Sequence, residues 1–72
     1  MTNTETALAD LDGWRRTFEE ATASARISEE AEHDVAHAVR LGRVAWAAYV
    51  AAAGGEPDPD VRDRTPAAFL GG

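Results

Sequence analysis

Apolar side chains recur at helical spacing in the first third of the chain. Between residues 4 and 25 they follow one another at intervals of 4, 3, 4, 3 and 4 residues, which only a helix presents as one face. Thr2 and Glu5 have capping-box spacing, so we predict a helix over about residues 4–25. A shorter helix capped by Asp12 and beginning at Gly13 is the alternative, because a glycine inside a helix costs about 1 kcal/mol. The stripe consists of Ala7, Leu11, Trp14, Phe18, Ala21 and Ala25.

A second stripe with the same spacing predicts a second helix over about residues 28–53. Ser28 is a favourable N-cap, and Gly54 suits the left-handed position after the helix end. Gly42 lies on the stripe, where it lets another helix approach closely; the alternative is a turn there that splits the helix. Ala45 is a poor N-cap for a new helix, so we predict a continuous one. This stripe consists of Val35, Val39, Gly42, Trp46, Tyr49 and Ala53.

The two predicted helices are separated by only two or three residues. Helices joined by so short a connection pack as antiparallel neighbours. We therefore predict an all-α fold in which residues 1–55 form an antiparallel two-helix hairpin. The sequence EPDPD at residues 56–60 is typical of an extended linker. We expect residues 56–72 to form an acidic, proline-containing, mobile tail, which ends in Gly71-Gly72.

The second predicted helix has more apolar surface than one neighbouring helix can cover. Residues 44–53 are apolar on all sides, with Val44, Ala48 and Ala51 about 180° from the stripe. A helix that is apolar all round is normally buried. We expect its second side to be covered by a homodimer, in which two hairpins form a four-helix bundle, or by another protein. The alternative is that the tail folds back and covers it through Phe69 and Leu70.

Composition and charge exclude several classes of function. The chain has 72 residues and no cysteine, so it is too short for two domains and holds no disulfide or thiolate metal site. Its net charge of −6 disfavours binding to nucleic acid and to anionic membranes. The polar N-terminus lacks the features of a signal peptide, and no apolar run reaches the length of a membrane span. We therefore expect a cytoplasmic protein.

The candidate metal ligands are Glu30, His33 and His37. Glu30 and His33 have the spacing found in di-metal helix bundles, and His33 and His37 are four residues apart on one helix face. Metals in helix bundles bind in the core, whereas these histidines project away from the apolar stripe. We therefore interpret the three residues as a solvated polar face and predict no metal or other cofactor.

The sequence has no catalytic motif. Two helices and a tail offer no pocket that excludes water, and no glycine-rich phosphate loop is present. We expect a protein that is not an enzyme, has no small-molecule substrate, and acts as an accessory or regulatory subunit by binding itself or a larger protein. The alternatives are a metal-binding helical bundle and an acidic, antitoxin-like inhibitor. The candidate partner-binding residues are Trp14, Phe18, Val44, Trp46, Tyr49, Val50, Phe69 and Leu70.

Overall fold

The chain folds as a helical hairpin onto which its C-terminal segment packs. The computed structural model describes residues 3–25 and 29–70. Within these ranges there are four α-helices: α1 (Thr4–Ser24), α2 (Glu29–Ala52), α3 (Pro59–Arg64) and α4 (Ala67–Leu70). The predicted all-α fold with a long helix pair is confirmed.

The pairing of α1 with α2 is antiparallel. The Thr4 hydroxyl donates a 3.2 Å hydrogen bond to the carbonyl oxygen of Ala52, so the start of α1 lies beside the end of α2.

Three features of the sequence prediction lie outside the described residues: the Thr2 part of the capping box, the Ser28 cap with the connection before it, and Gly71-Gly72.

Helix α1 begins after Asn3. The Asn3 side chain accepts a 2.8 Å hydrogen bond from the backbone N–H of Thr6, which satisfies one of the free donors at the helix start. The helix then continues through Gly13 to Ser24, so the alternative start at Asp12 is wrong. The poor helix propensity of one exposed glycine destabilises the helix less than the packing of the neighbouring turns stabilises it.

Helix α2 is continuous across Gly42 and ends in a Schellman motif. The N–H of Gly54 donates to the carbonyl oxygen of Ala51 at 3.1 Å, and that of Gly55 donates to Val50 at 2.9 Å. Both glycines have positive φ, +73° and +85°, where a Cβ would be strained. The predictions of an unbroken helix and of a stop at Gly54 are confirmed.

Alanines outside the predicted stripe form much of the buried face of α2, together with two residues of the stripe, Gly42 and Tyr49. Ala31, Ala38 and Ala45 are seven residues apart and lie along one side of the helix. Val39 and Trp46, from the predicted stripe, are only half-buried. The buried face is therefore rotated from the predicted stripe toward the alanines, which allow a close approach of the two helices. The buried positions of α2 are Ala31, Ala38, Gly42, Ala45 and Tyr49.

The C-terminal segment is not the extended tail that the sequence suggested. Most of residues 56–70 are helical, and Val61 and Phe69 are buried, with 5% and 1% exposure. The prediction failed because proline is favourable in the first turn of a helix. Pro59 follows Asp58, whose carboxylate accepts a 2.9 Å hydrogen bond from the N–H two residues later and caps α3. We call residues 56–70 the C-terminal strap.

Candidate partner-binding surface

The strap fills a groove of the hairpin with the ring of Phe69. This ring packs edge-on against Phe18 of α1, with 5.4 Å between ring centroids and 71° between planes. On α2 the ring lies against Gly42, where a Cβ would overlap it. Gly42 therefore permits a close approach, as expected from its place on the stripe, but the approaching group is an aromatic ring of the strap.

Two hydrogen bonds hold the strap at its two ends. At the first end, the hydroxyl of Tyr49 accepts a 3.0 Å hydrogen bond from the backbone N–H of Asp58. At the other end, Nε of Arg43 donates a 2.8 Å hydrogen bond to the carbonyl oxygen of Ala68. Both anchors come from α2, whereas the apolar attachment of the strap involves α1 as well as α2.

The eight predicted partner-binding residues fall into three groups. Tyr49 and Phe69 are buried within the chain, with 3% and 1% exposure, so in this conformation they cannot contact a partner. Both belong to the core cluster that the hairpin and the strap share, and a role for them in partner binding stays a prediction. Val44 is 63% exposed. The half-buried group consists of Trp14, Phe18, Trp46, Val50 and Leu70.

An exposed apolar face remains on α2 on the side away from α1. Among the described residues, Val44 is the one large apolar side chain classed as exposed, and three alanines of α2 near it are also exposed. Their spacing places the four on one side of the helix. Arg40 precedes this face in sequence, and Glu56 follows it. We call Val44, Ala47, Ala48 and Ala51 the outer face of α2.

The candidate metal ligands are dispersed and solvated. Glu30, His33 and His37 are all exposed on α2. The ring of His37 packs edge-on against Trp14, with a centroid distance of 5.8 Å and 77° between planes. In the part of the chain that the structure describes, no group of three or more histidine, aspartate or glutamate side chains is placed to hold a metal ion. The structure therefore gives the metal-binding alternative no ligand set.

An open cleft of about 220 Å³ lies between the end of α1 and the start of α2. Its polar residues are solvated, since Glu20, Asp34 and His37 are exposed. A site of this kind does not remove a ligand from water, so its charges stay hydrated. The cleft is lined by Thr17, Glu20, Ala21, Ser24, Ala31, Asp34 and His37.

Two residues that matter for these surfaces could not be recognised from the amino-acid sequence. Ala47 belongs to the outer face of α2, but an alanine gives no sign in the sequence of whether it is buried or exposed. Arg43 anchors the strap through a backbone carbonyl, a contact that no spacing rule predicts. The Arg43 contact depends on the position of the strap, which the sequence pattern placed in solvent.

No protein family model matches the chain, and neither a curated protein nor a solved structure shows significant similarity to it. Among residues 3–25 and 29–70, no helix combines the length and the apolar character needed to cross a lipid bilayer.

Proposed function

We propose that this chain is a small, non-catalytic protein-binding module that pairs with another helix through the outer face of α2. The observation that carries the proposal is the 63% exposure of Val44 among four apolar positions on one side of the helix. Exposed apolar surface of this kind gains roughly 25 cal/mol per Å² when a partner covers it. The strap lies elsewhere, over Gly42 and Tyr49, and leaves this face open.

A second copy of the chain is the partner that fits this face most simply. Small side chains allow two helices to approach to about 8 Å between axes. In an antiparallel pair with its two-fold axis at the middle of the face, Val44 would lie opposite Ala51 of the second copy. The same patch on each copy would then face its counterpart, and two hairpins joined in this way would form a four-helix bundle.

The same face also suits an accessory or regulatory role on a larger protein. The net charge of −6 would then favour a partner whose apolar helix is bordered by basic residues, because complementary charge accelerates encounter and fixes orientation. This is the second form of the proposal, and the experiment below separates it from the first.

Light scattering across a hundredfold range of concentration tests the proposal. We expect the parent chain to shift from monomer to dimer with rising concentration, and Ala48→Glu to remain monomeric because it places a charge in the interface. Ala9→Glu is the matched control: it makes the same substitution at an exposed alanine of α1 and should dimerise like the parent. Circular dichroism should show the same helix content in all three.

Each contrary outcome identifies what is wrong. If Ala48→Glu dimerises like the parent, association uses another surface and the outer face is not the site. If the parent stays monomeric throughout, the second copy is not the partner. The first form of the proposal then fails, and only docking on a larger protein is left.

A further inference from the structure

The strap packs on the hairpin through three buried side chains and joins it through two glycines. Its buried side chains, Val61, Thr65 and Phe69, are four residues apart and point to the hairpin from one side. The hydroxyl of buried Thr65 donates a 2.7 Å hydrogen bond to the carbonyl of Val61, so its polar group is satisfied within the strap. The strap joins α2 through Gly54 and Gly55, whose backbones change direction at low cost.

Part of the hairpin core does not involve the strap. Val61 and Phe69 belong to a buried cluster with Leu11 and Tyr49. Ala21 of α1 and Ala31 of α2, with 7% and 6% exposure, are buried outside that cluster and line one cleft between the two helices. The contact of α1 with α2 therefore extends beyond the region that the strap covers, and it has buried residues of its own.

The groove under the strap has a defined chemistry. Gly42 leaves room for an aromatic ring against the backbone of α2, and the ring of Phe18 packs edge-on against that ring. Nε of Arg43 donates a hydrogen bond to a backbone carbonyl. These three features select an apolar segment that carries an aromatic ring directly after an accessible carbonyl. Phe69 and the carbonyl of Ala68 meet this description, so the strap shows which kind of segment the groove accepts.

We propose that the strap is a releasable cover of this groove. It opens about Gly54 and Gly55 while the hairpin stays folded. The uncovered groove then binds an apolar segment of another protein, which presents an aromatic ring to Gly42 in place of Phe69. This is a second binding surface, distinct from the outer face of α2, and it does not depend on the function proposed for that face.

The tether makes the strap a competitor of any such partner. A segment held by a short linker has an effective concentration on the order of millimolar at its own groove. An external segment binds only to the fraction of molecules in which the groove is open, so its apparent affinity falls by that fraction. The strap thus sets a threshold of affinity for the groove. Apolar segments that bind weakly do not displace the strap, whereas a partner segment that binds more tightly does.

Native-state hydrogen exchange of the full chain tests whether the strap opens alone. The N–H groups of Arg62, Thr65 and Phe69 are hydrogen-bonded within or at the edge of the strap helices. We expect them to exchange at least tenfold more readily than the amides of α1 and α2 near Ala38. Arg43→Met should increase strap exchange by about fivefold, the effect of one hydrogen bond, and leave the hairpin amides unchanged. Equal exchange in strap and hairpin would overturn the proposal.

A peptide in trans tests what the open groove binds. The probe is a synthetic peptide of residues 56–72, added to the full-length Phe69→Ala variant and followed by tryptophan fluorescence. We expect saturable binding to this variant, at least tenfold weaker binding to the parent, and none by a peptide in which Phe69 is also alanine. Absence of binding to a helical Phe69→Ala variant overturns the proposal. Loss of the hairpin in that variant does so too, because strap and hairpin would then be one cooperative unit.

Discussion

The ring of Phe69 occupies the space that a side chain on Gly42 would need. A glycine in the middle of a 24-residue helix is unfavourable by about 1 kcal/mol relative to alanine. Because Gly42 has no side chain, the ring of Phe69 packs against the backbone of α2 and Phe69 is only 1% exposed. The burial of such a ring contributes roughly 1.5–3 kcal/mol, which offsets the cost of the glycine.

Gly42→Ala should therefore destabilise the protein. The new Cβ would push the Phe69 ring out of its groove, and overpacking of this kind costs about 1–3 kcal/mol, which outweighs the gain in helix propensity. Urea unfolding followed by circular dichroism measures the change in the free energy of unfolding.

The same substitution at Gly13 is the control and should have the opposite sign. Gly13 is exposed within α1, and a Cβ added there meets nothing within 4 Å. We expect Gly13→Ala to stabilise the protein by about 0.5–1 kcal/mol through helix propensity alone. If the two variants shift stability in the same direction, the close contact of Phe69 with Gly42 is wrong.

The alanines of α2 supply a second test. Ala38 has no exposed surface, so Ala38→Leu should overpack the buried face of α2 and cost about 1–3 kcal/mol. Ala36 is exposed on the same helix, and Ala36→Leu should change stability by no more than about 0.5 kcal/mol. Thermal unfolding of both variants decides the question, and equal midpoints would show that α2 buries a different face.

These alanines also show how far the sequence predicts the fold. Hydrophobic spacing predicts both long helices, because residues such as Trp46 and Phe18 mark one side of each, and the short connection between the helices predicts their antiparallel pairing. The hydrophobic spacing does not determine which residues of each helix lie at the centre of the buried face. Ala38 and Ala48 are the same residue type, yet one is buried and the other exposed. Only the helix packing distinguishes them.

The strap could not be predicted for a different reason. In residues 56–60 two prolines alternate with acidic residues, and this composition is typical of an extended linker. The same residues also supply an N-cap and a proline at the first helical position, which together start α3. A six-residue helix is stable only when it packs on another part of the protein, so the formation of α3 depends on the burial of Val61 against the hairpin.

Asn3 should be the residue that fixes the start of α1. Its side chain accepts the 2.8 Å hydrogen bond from the Thr6 N–H, and Asn3→Ala should cost about 1 kcal/mol. Asn3→Asp keeps the acceptor and adds a negative charge at the helix N-terminus, where the helix dipole favours it, so stability should be retained. Urea unfolding of both variants checks this, and an Asn3→Ala variant as stable as the parent would show that the cap contributes nothing.

The hydroxyl of Tyr49 should stabilise the strap without affecting the hairpin. It accepts a part-buried 3.0 Å hydrogen bond from the Asp58 N–H, and Tyr49→Phe removes the acceptor while keeping the ring in the core. We expect a loss of about 0.5–1.5 kcal/mol, because a partly buried donor is left without its partner. Thr22→Val is the control, since it removes an exposed hydroxyl that bonds to Glu19 at 2.9 Å and should change stability by at most about 0.5 kcal/mol.

In hydrogen exchange, Tyr49→Phe should accelerate the amides of α3 and leave those of α1 at their parent rates. If α1 is accelerated by the same factor, Tyr49 stabilises the whole fold and not the strap alone.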